Sequence, residues 1–145
     1  MRLAAVALLS AALTMGACDD STSPTEPTSD DPAAAAVSET FSGTLPVGGA
    51  SFYSFSIAVF GTTTVRLTAI GGPDVPADVI VNLATGTPSG SECSATLPVS
   101  VQATGDAGLT NEVTTSLPAG THCVVVADAG NLAGPAAFTV VIEHP

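Results

Sequence analysis

The sequence has no lysine and no tryptophan, and only Arg2 and Arg66 stand against 13 carboxylates among 145 residues, a net charge of −11. Each shortage removes a class of function. Nucleic-acid binding needs a basic footprint that displaces counterions from phosphates, and here the sign is wrong. Anionic headgroups are repelled for the same reason, so charge cannot hold this chain on a membrane. Lysine Schiff-base and Ser-Lys chemistry are absent by composition. Aromatics are few, one Tyr and five Phe, so the faces on which glycan-binding sandwiches stack sugars are scarce. The two histidines, His122 and His144, lie outside the short spacings of zinc ligands. No Gly-x-Ser-x-Gly elbow marks a nucleophile.

Nor is there an apolar run long enough to span a bilayer, which takes about 20 residues. The longest, residues 3–13, is almost wholly Leu, Ala and Val behind Arg2, the n-region and h-region pattern of an export signal. It ends in Thr14-Met15-Gly16-Ala17-Cys18, followed at once by Asp19 and Asp20. This run resembles the lipobox of bacterial lipoproteins, where a bulky apolar residue and two small ones precede a cysteine that is diacylated and becomes the new N-terminus. Met15 stands where Leu is commoner. The resemblance implies cleavage after residue 17, acyl chains of the palmitate type on Cys18, and the lipid bilayer as a partner. At about 0.8 kcal/mol per buried CH₂, two or three chains would anchor the protein without its crossing the membrane. The alternative is an ordinary secretory signal whose cleavage site contains a cysteine. Asp19 resembles the inner-membrane retention signal of enteric bacteria, a rule that does not transfer to other lineages, so inner and outer membrane both stay open.

If Cys18 carries lipid, Cys93 and Cys123 remain as an even pair, and an oxidising compartment favours a disulfide between them. Two structural or reactive thiols are the alternative. Residues 18–37 are expected to form a disordered acidic linker: between Cys18 and Val37 there are only Asp, Ser, Thr, Pro, Glu and Ala, with no aliphatic or aromatic side chain larger than Ala to build a core. Pro24, Pro27 and Pro32 bias it toward extended geometry, with an upper reach on the order of 50 to 60 Å.

Residues 38–145 read differently, as one domain of short alternating runs between turn residues. Tyr53, Phe55 and Ile57 alternate with serines; Val65, Leu67 and Ala69 alternate with Thr64, Arg66 and Thr68; Val79, Val81 and Leu83 follow until Thr85-Gly86-Thr87-Pro88 ends the run. Leu97, Val99 and Val101 form another, with Pro98 suggesting an edge. Residues 113–117, 121–128 and 137–143 complete the series, separated by Pro118-Ala119-Gly120 and Gly130-Asn131. No segment holds a helical period. Seven or eight short strands at regular turn spacing predict an all-β fold, an antiparallel β-sandwich.

Three stretches carry a family resemblance: Phe41-Ser42-Gly43-Thr44-Leu45 with Ser51-Phe52-Tyr53-Ser54-Phe55, residues 117–126, and Asp128-Ala129-Gly130-Asn131 with Phe138-Thr139-Val140. Together they resemble the bacterial pre-peptidase C-terminal domain, a jelly-roll-like module of exported proteins. His122 stands where that family commonly has tyrosine. The resemblance implies that His122, Val124 and Val126 point inward, leaving Cys123 on the other face to clip a loop carrying Cys93. Alternation alone also permits the opposite phase.

The remaining chemistry lies in carboxylates. Asp74 and Asp78 flank Val75-Pro76-Ala77, and Asp106 lies near Glu112; such pairs can serve acid–base hydrolysis or hold Ca²⁺. Solvated loop acids that keep the protein soluble are the blander account. Tyr53 reads as core, while Phe52 and Phe60 are candidates for an exposed contact. The leading expectation is a lipid-anchored, non-catalytic module of the cell envelope that binds, adheres or supports structure, with a protein or glycan ligand that the sequence does not name. A Ca²⁺-dependent carbohydrate-binding domain or small exported hydrolase is the alternative.

Overall fold

In a computed structural model the protein is described over residues 35–102 and 111–145. Eight strands occur there: β1 (Val37–Leu45), β2 (Ala50–Ile57), β3 (Gly61–Gly71), β4 (Ile80–Ser89), β5 (Glu92–Gln102), β6 (Glu112–Leu117), β7 (Gly120–Asp128) and β8 (Ala136–His144). They form two four-stranded antiparallel sheets, ordered β1-β8-β3-β6 and β2-β7-β4-β5. That order, in which most consecutive strands cross from one sheet to the other, is the jelly-roll form of the β-sandwich.

Period-two alternation puts one face of each sheet inside. Phe55 and Ile57 of β2, Val65 and Leu67 of β3, Val81 and Leu83 of β4, Val124 and Val126 of β7, and Phe138, Val140 and Ile142 of β8 meet in a single core. It is mostly aliphatic, which suits β-branched residues on a pleated surface. Tyr53 is half-buried at its margin, stacked on Phe41 with ring centroids 4.8 Å apart, its hydroxyl donating to the Ser42 carbonyl at 2.9 Å. Gly43 leaves the space for that hydroxyl, because a Cβ there would fall on the Tyr53 oxygen.

Three departures from simple alternation have local causes. In β3 the register against β8 shifts between Leu67 and Ala69, so Thr68 is an extra residue. Ala69 therefore faces out, contrary to the sequence expectation, and Ile70 turns toward the core. In β4 the chain does not stop at Thr85-Gly86-Thr87-Pro88 but runs on to Ser89 and returns through a two-residue Gly90-Ser91 turn into β5. Pairing with β7 ends at Gly86, so Pro88 lies where only β5 is a neighbour and its missing N–H costs nothing. In β5, the outer strand of its sheet, a second register shift opposes Leu97 and Pro98 to the single residue Ala84. Val101 is buried, whereas Val99 is 41% exposed at this edge.

Cys93 and Cys123 form a disulfide with Cα atoms 6.0 Å apart. His122, Val124 and Val126 are buried in the interior, and Cys123 lies on the opposite face of β7. Cys93, however, belongs to strand β5 rather than to a loop. Beyond Gly86 the β4–β5 hairpin leaves β7 and curls over its outer face, where Ser91, Glu92 and Cys93 gather with Ala50, Ser51, Phe52 and Val125. The disulfide fastens the hairpin there.

Candidate functional site

The two ends of the sandwich differ in chemistry. One end gathers the β1–β2, β3–β4 and β7–β8 connections and carries Asp74, Asp78 and Asp128. The other gathers the β2–β3 and β6–β7 turns, the start of β1 and the end of β8.

At the acidic end, Asp74 and Asp78 are exposed on the β3–β4 loop, and Asp74 rests against Gly134. Asp106 lies outside the described residues, as does Cys18. Among the described residues no group of three or more His, Cys, Asp or Glu side chains is placed to hold a metal ion. The acid with a built environment is Asp128, which the sequence offered only as part of a turn. Its Oδ2 accepts from the Gly48 N–H at 2.7 Å, and its Oδ1 accepts from Gly130, Asn131 and Leu132 at 2.8, 3.2 and 3.3 Å. The Asn131 amide, oriented by its partners, donates to the Ile80 carbonyl at 2.9 Å and accepts from the Ile80 N–H at 3.0 Å. The Asp-x-Gly-Asn order was the available signal, since Asp side chains commonly bond the backbone two residues on.

The Gly48 N–H above all, and then those of residues 130–132, hold the Asp128 carboxyl below its ordinary value against the opposing effect of desolvation. A carboxyl lowered in the folded state stabilises it fully above the unfolded value, near pH 4, and that contribution is lost as pH falls through the folded value. Asp128→Ala is therefore expected to lower stability at neutral pH by about 2 kcal/mol, from the loss of charge-assisted hydrogen bonds. Melts of both proteins from pH 7 down to pH 2 check this: the gap between them should narrow only on the acid side of pH 4.

Arg66, the domain's one basic side chain besides histidine, is committed to Glu112 across β3 and β6, with Nη2 2.6 Å and Nε 3.1 Å from the same oxygen. The pair raises Arg66 and lowers Glu112, mainly through that hydrogen bond. No cationic patch for phosphate or nucleic acid arises among the described residues.

Between the sheets a groove of about 540 Å³ opens beside β6, lined by Thr85, Gly86, Thr87, Val113, Thr114, Leu117, Pro118 and His122 among others. Its hydroxyls and short apolar side chains come from β4, β6 and β7, so no stretch of sequence announces it. His122 is buried at its floor, with Nε2 2.8 Å from the Pro118 carbonyl oxygen and its ring against Phe55. A main-chain oxygen thus sits on Nε2, the nitrogen that faces the nucleophile in a triad. His144 is buried as well, bridging β8 to β1 through Glu39 at 3.0 Å.

Two aromatics expected to be exposed are so, one of them at the other end. Phe60 is 71% exposed on the β2–β3 turn beside Val59, itself 46% exposed, and Phe52 is 36% exposed on the outer face of β2.

The fold and these surfaces define an all-β jelly-roll module with a disulfide. No protein-family model matches the chain, and no curated protein matches it. Among solved structures it is similar to PliG of Aeromonas hydrophila, a periplasmic inhibitor of g-type lysozyme, at 20% identity, over 77% of this chain and 89% of that one, with a TM-score of 0.46. A likeness that distant carries no argument about function.

Proposed function

We propose that the protein is an exported bacterial lipoprotein, held to the cell envelope by acyl chains on Cys18, whose jelly roll acts as a non-catalytic binding, adhesive or structural module related to pre-peptidase C-terminal domains. The observation that carries this reading is the Cys93–Cys123 bond. It takes two of the chain's three cysteines and leaves Cys18, the one that ends the lipobox-like run. A disulfide also suits an oxidising compartment, which the leader would reach by export. The non-catalytic reading is supported by His122, whose Nε2 is taken by the Pro118 carbonyl oxygen, and by His144, both of whose ring nitrogens are engaged in holding the fold together. The groove over His122 offers the binding surface. Its threonines suit hydrogen bonding to an uncharged ligand, since no Asp, Glu, Lys or Arg is among its described lining residues.

Expression in a bacterium fed a palmitate analogue tests the anchor. The wild-type protein is expected to take the label and to fractionate with membranes, and Cys18→Ala is expected to lose both. Label retained in Cys18→Ala would overturn the reading. Protease shaving of intact cells then separates surface display from a periplasmic position.

A further inference from the structure

The β2–β3 turn, residues 58–60, presents an exposed valine and an exposed phenylalanine side by side, which a soluble surface has no reason to keep together. Its surroundings are uncharged. No carboxylate occurs between Glu39 and Asp74, so all of β2 and β3 lack one, and none occurs from Val113 to Ala127, which includes the neighbouring β6–β7 turn. In a chain of net charge −11, that is a large neutral area. Of the nearest acids among the described residues, Glu39 is paired with His144, and Glu143 is exposed on β8.

The position of this turn in the fold supplies a second argument. Val37, the first residue of β1, pairs with His144, and Gly61 lies against Pro145. The chain that continues toward Cys18 therefore leaves the domain at the same end as Val59 and Phe60, and Val37 there is itself 43% exposed. The exposed acids Asp74 and Asp78 lie at the opposite end. A lipid on Cys18 would therefore be joined to the domain at this end, where β1 begins, and not at the end that carries Asp74 and Asp78.

We infer that the Val59-Phe60 turn is a membrane-contact tip that dips into the interfacial region of the bilayer to which Cys18 is anchored. This rests on the lipid-anchor reading above. An apolar turn free of charge gains by burial in lipid, whereas the acidic loops at the other end would be repelled. The lipid holds the protein at the surface, and the tip fixes which end faces it.

The absence of tryptophan from the chain makes the test clean. Full-length Phe60→Trp and Val47→Trp proteins, each with one indole, are incorporated into phosphatidylcholine vesicles containing brominated acyl chains, and acylation of Cys18 is read on the same samples by mass. Val47, 52% exposed, lies on the β1–β2 connection at the far end. Phe60→Trp is expected to show blue-shifted emission quenched severalfold by brominated lipid, with Val47→Trp unshifted. Equal quenching of the two proteins with Cys18 acylated would overturn the contact and leave the anchor standing. A blue shift that brominated lipid does not quench would assign the tip to another protein surface and would also overturn it. Unacylated protein with no quenching would sink both readings, and quenching without acylation would support the tip alone.

Discussion

The double variant Cys93→Ser/Cys123→Ser is expected to lose about 3 to 4 kcal/mol of folding stability. The bond closes a sequence separation of 30 residues, and the chain entropy it removes from the unfolded state gives that magnitude. For a domain of this size the melting temperature should fall by roughly 15 to 25 °C. Reduction of the wild-type protein should give a comparable drop. The loss should also have a place: β4 has no partner but β5 beyond Gly86, so amide protection from Thr87 to Ser94 should collapse well before that of β8, which lies between β1 and β3. A drop of only a few degrees, with the hairpin still protected, would mean that packing rather than the bond holds it.

Gly86→Ala is expected to cost about 2 to 3 kcal/mol, a large effect for one methyl group on a strand. A Cβ at this position falls on the Ser94 carbonyl oxygen and 2.7 Å from the Ala95 Cα, and both belong to backbone that no rotamer change can move aside. Gly71→Ala on β3 is the control, since nothing lies within 4 Å of its Cβ position, and it should change stability by no more than about 0.5 kcal/mol. Relief requires β5 to move off β4 at Ser94 and Ala95, and the bond from neighbouring Cys93 to Cys123 restrains that movement. The cost of Gly86→Ala should accordingly shrink by about 1 kcal/mol in the cysteine-free background, a coupling that chemical denaturation of the four proteins would measure. Strict additivity would mean that the hairpin is not under the bond's control.

Gly86 also marks where sequence reading reached its limit. Thr85-Gly86-Thr87-Pro88 has the composition of a turn, yet it is strand, because β5 comes so close that only glycine fits. The strands on either side were legible, as Val81, Leu83, Val124 and Val126 show: each points inward at a period of two, and burial enforces it. The bulge at Thr68 was not, since one extra residue in a run of threonines and aliphatics leaves no mark on composition. The cysteine pair was legible by counting, but the hairpin that it fastens was not. The groove over His122 draws on three strands from two sheets, and only the crossing order of a jelly roll puts them side by side. Asp128 lay between these cases: its turn could be read, but not its reach across to Gly48.

Arg66 has one more consequence, for anyone who handles this protein. Apart from Arg2 it is the sole site at which trypsin could cut, and it lies inside β3, paired on both sides and held by Glu112. With no lysine, the chain also offers amine-reactive biotin nothing but its amino terminus. Tryptic shaving would pass over the protein even if it covered the cell, and amine biotinylation would depend on that single group. A surface experiment should use a protease that cuts at aliphatic residues, and a carboxylate-directed label, for which Asp74 and Asp78 are exposed.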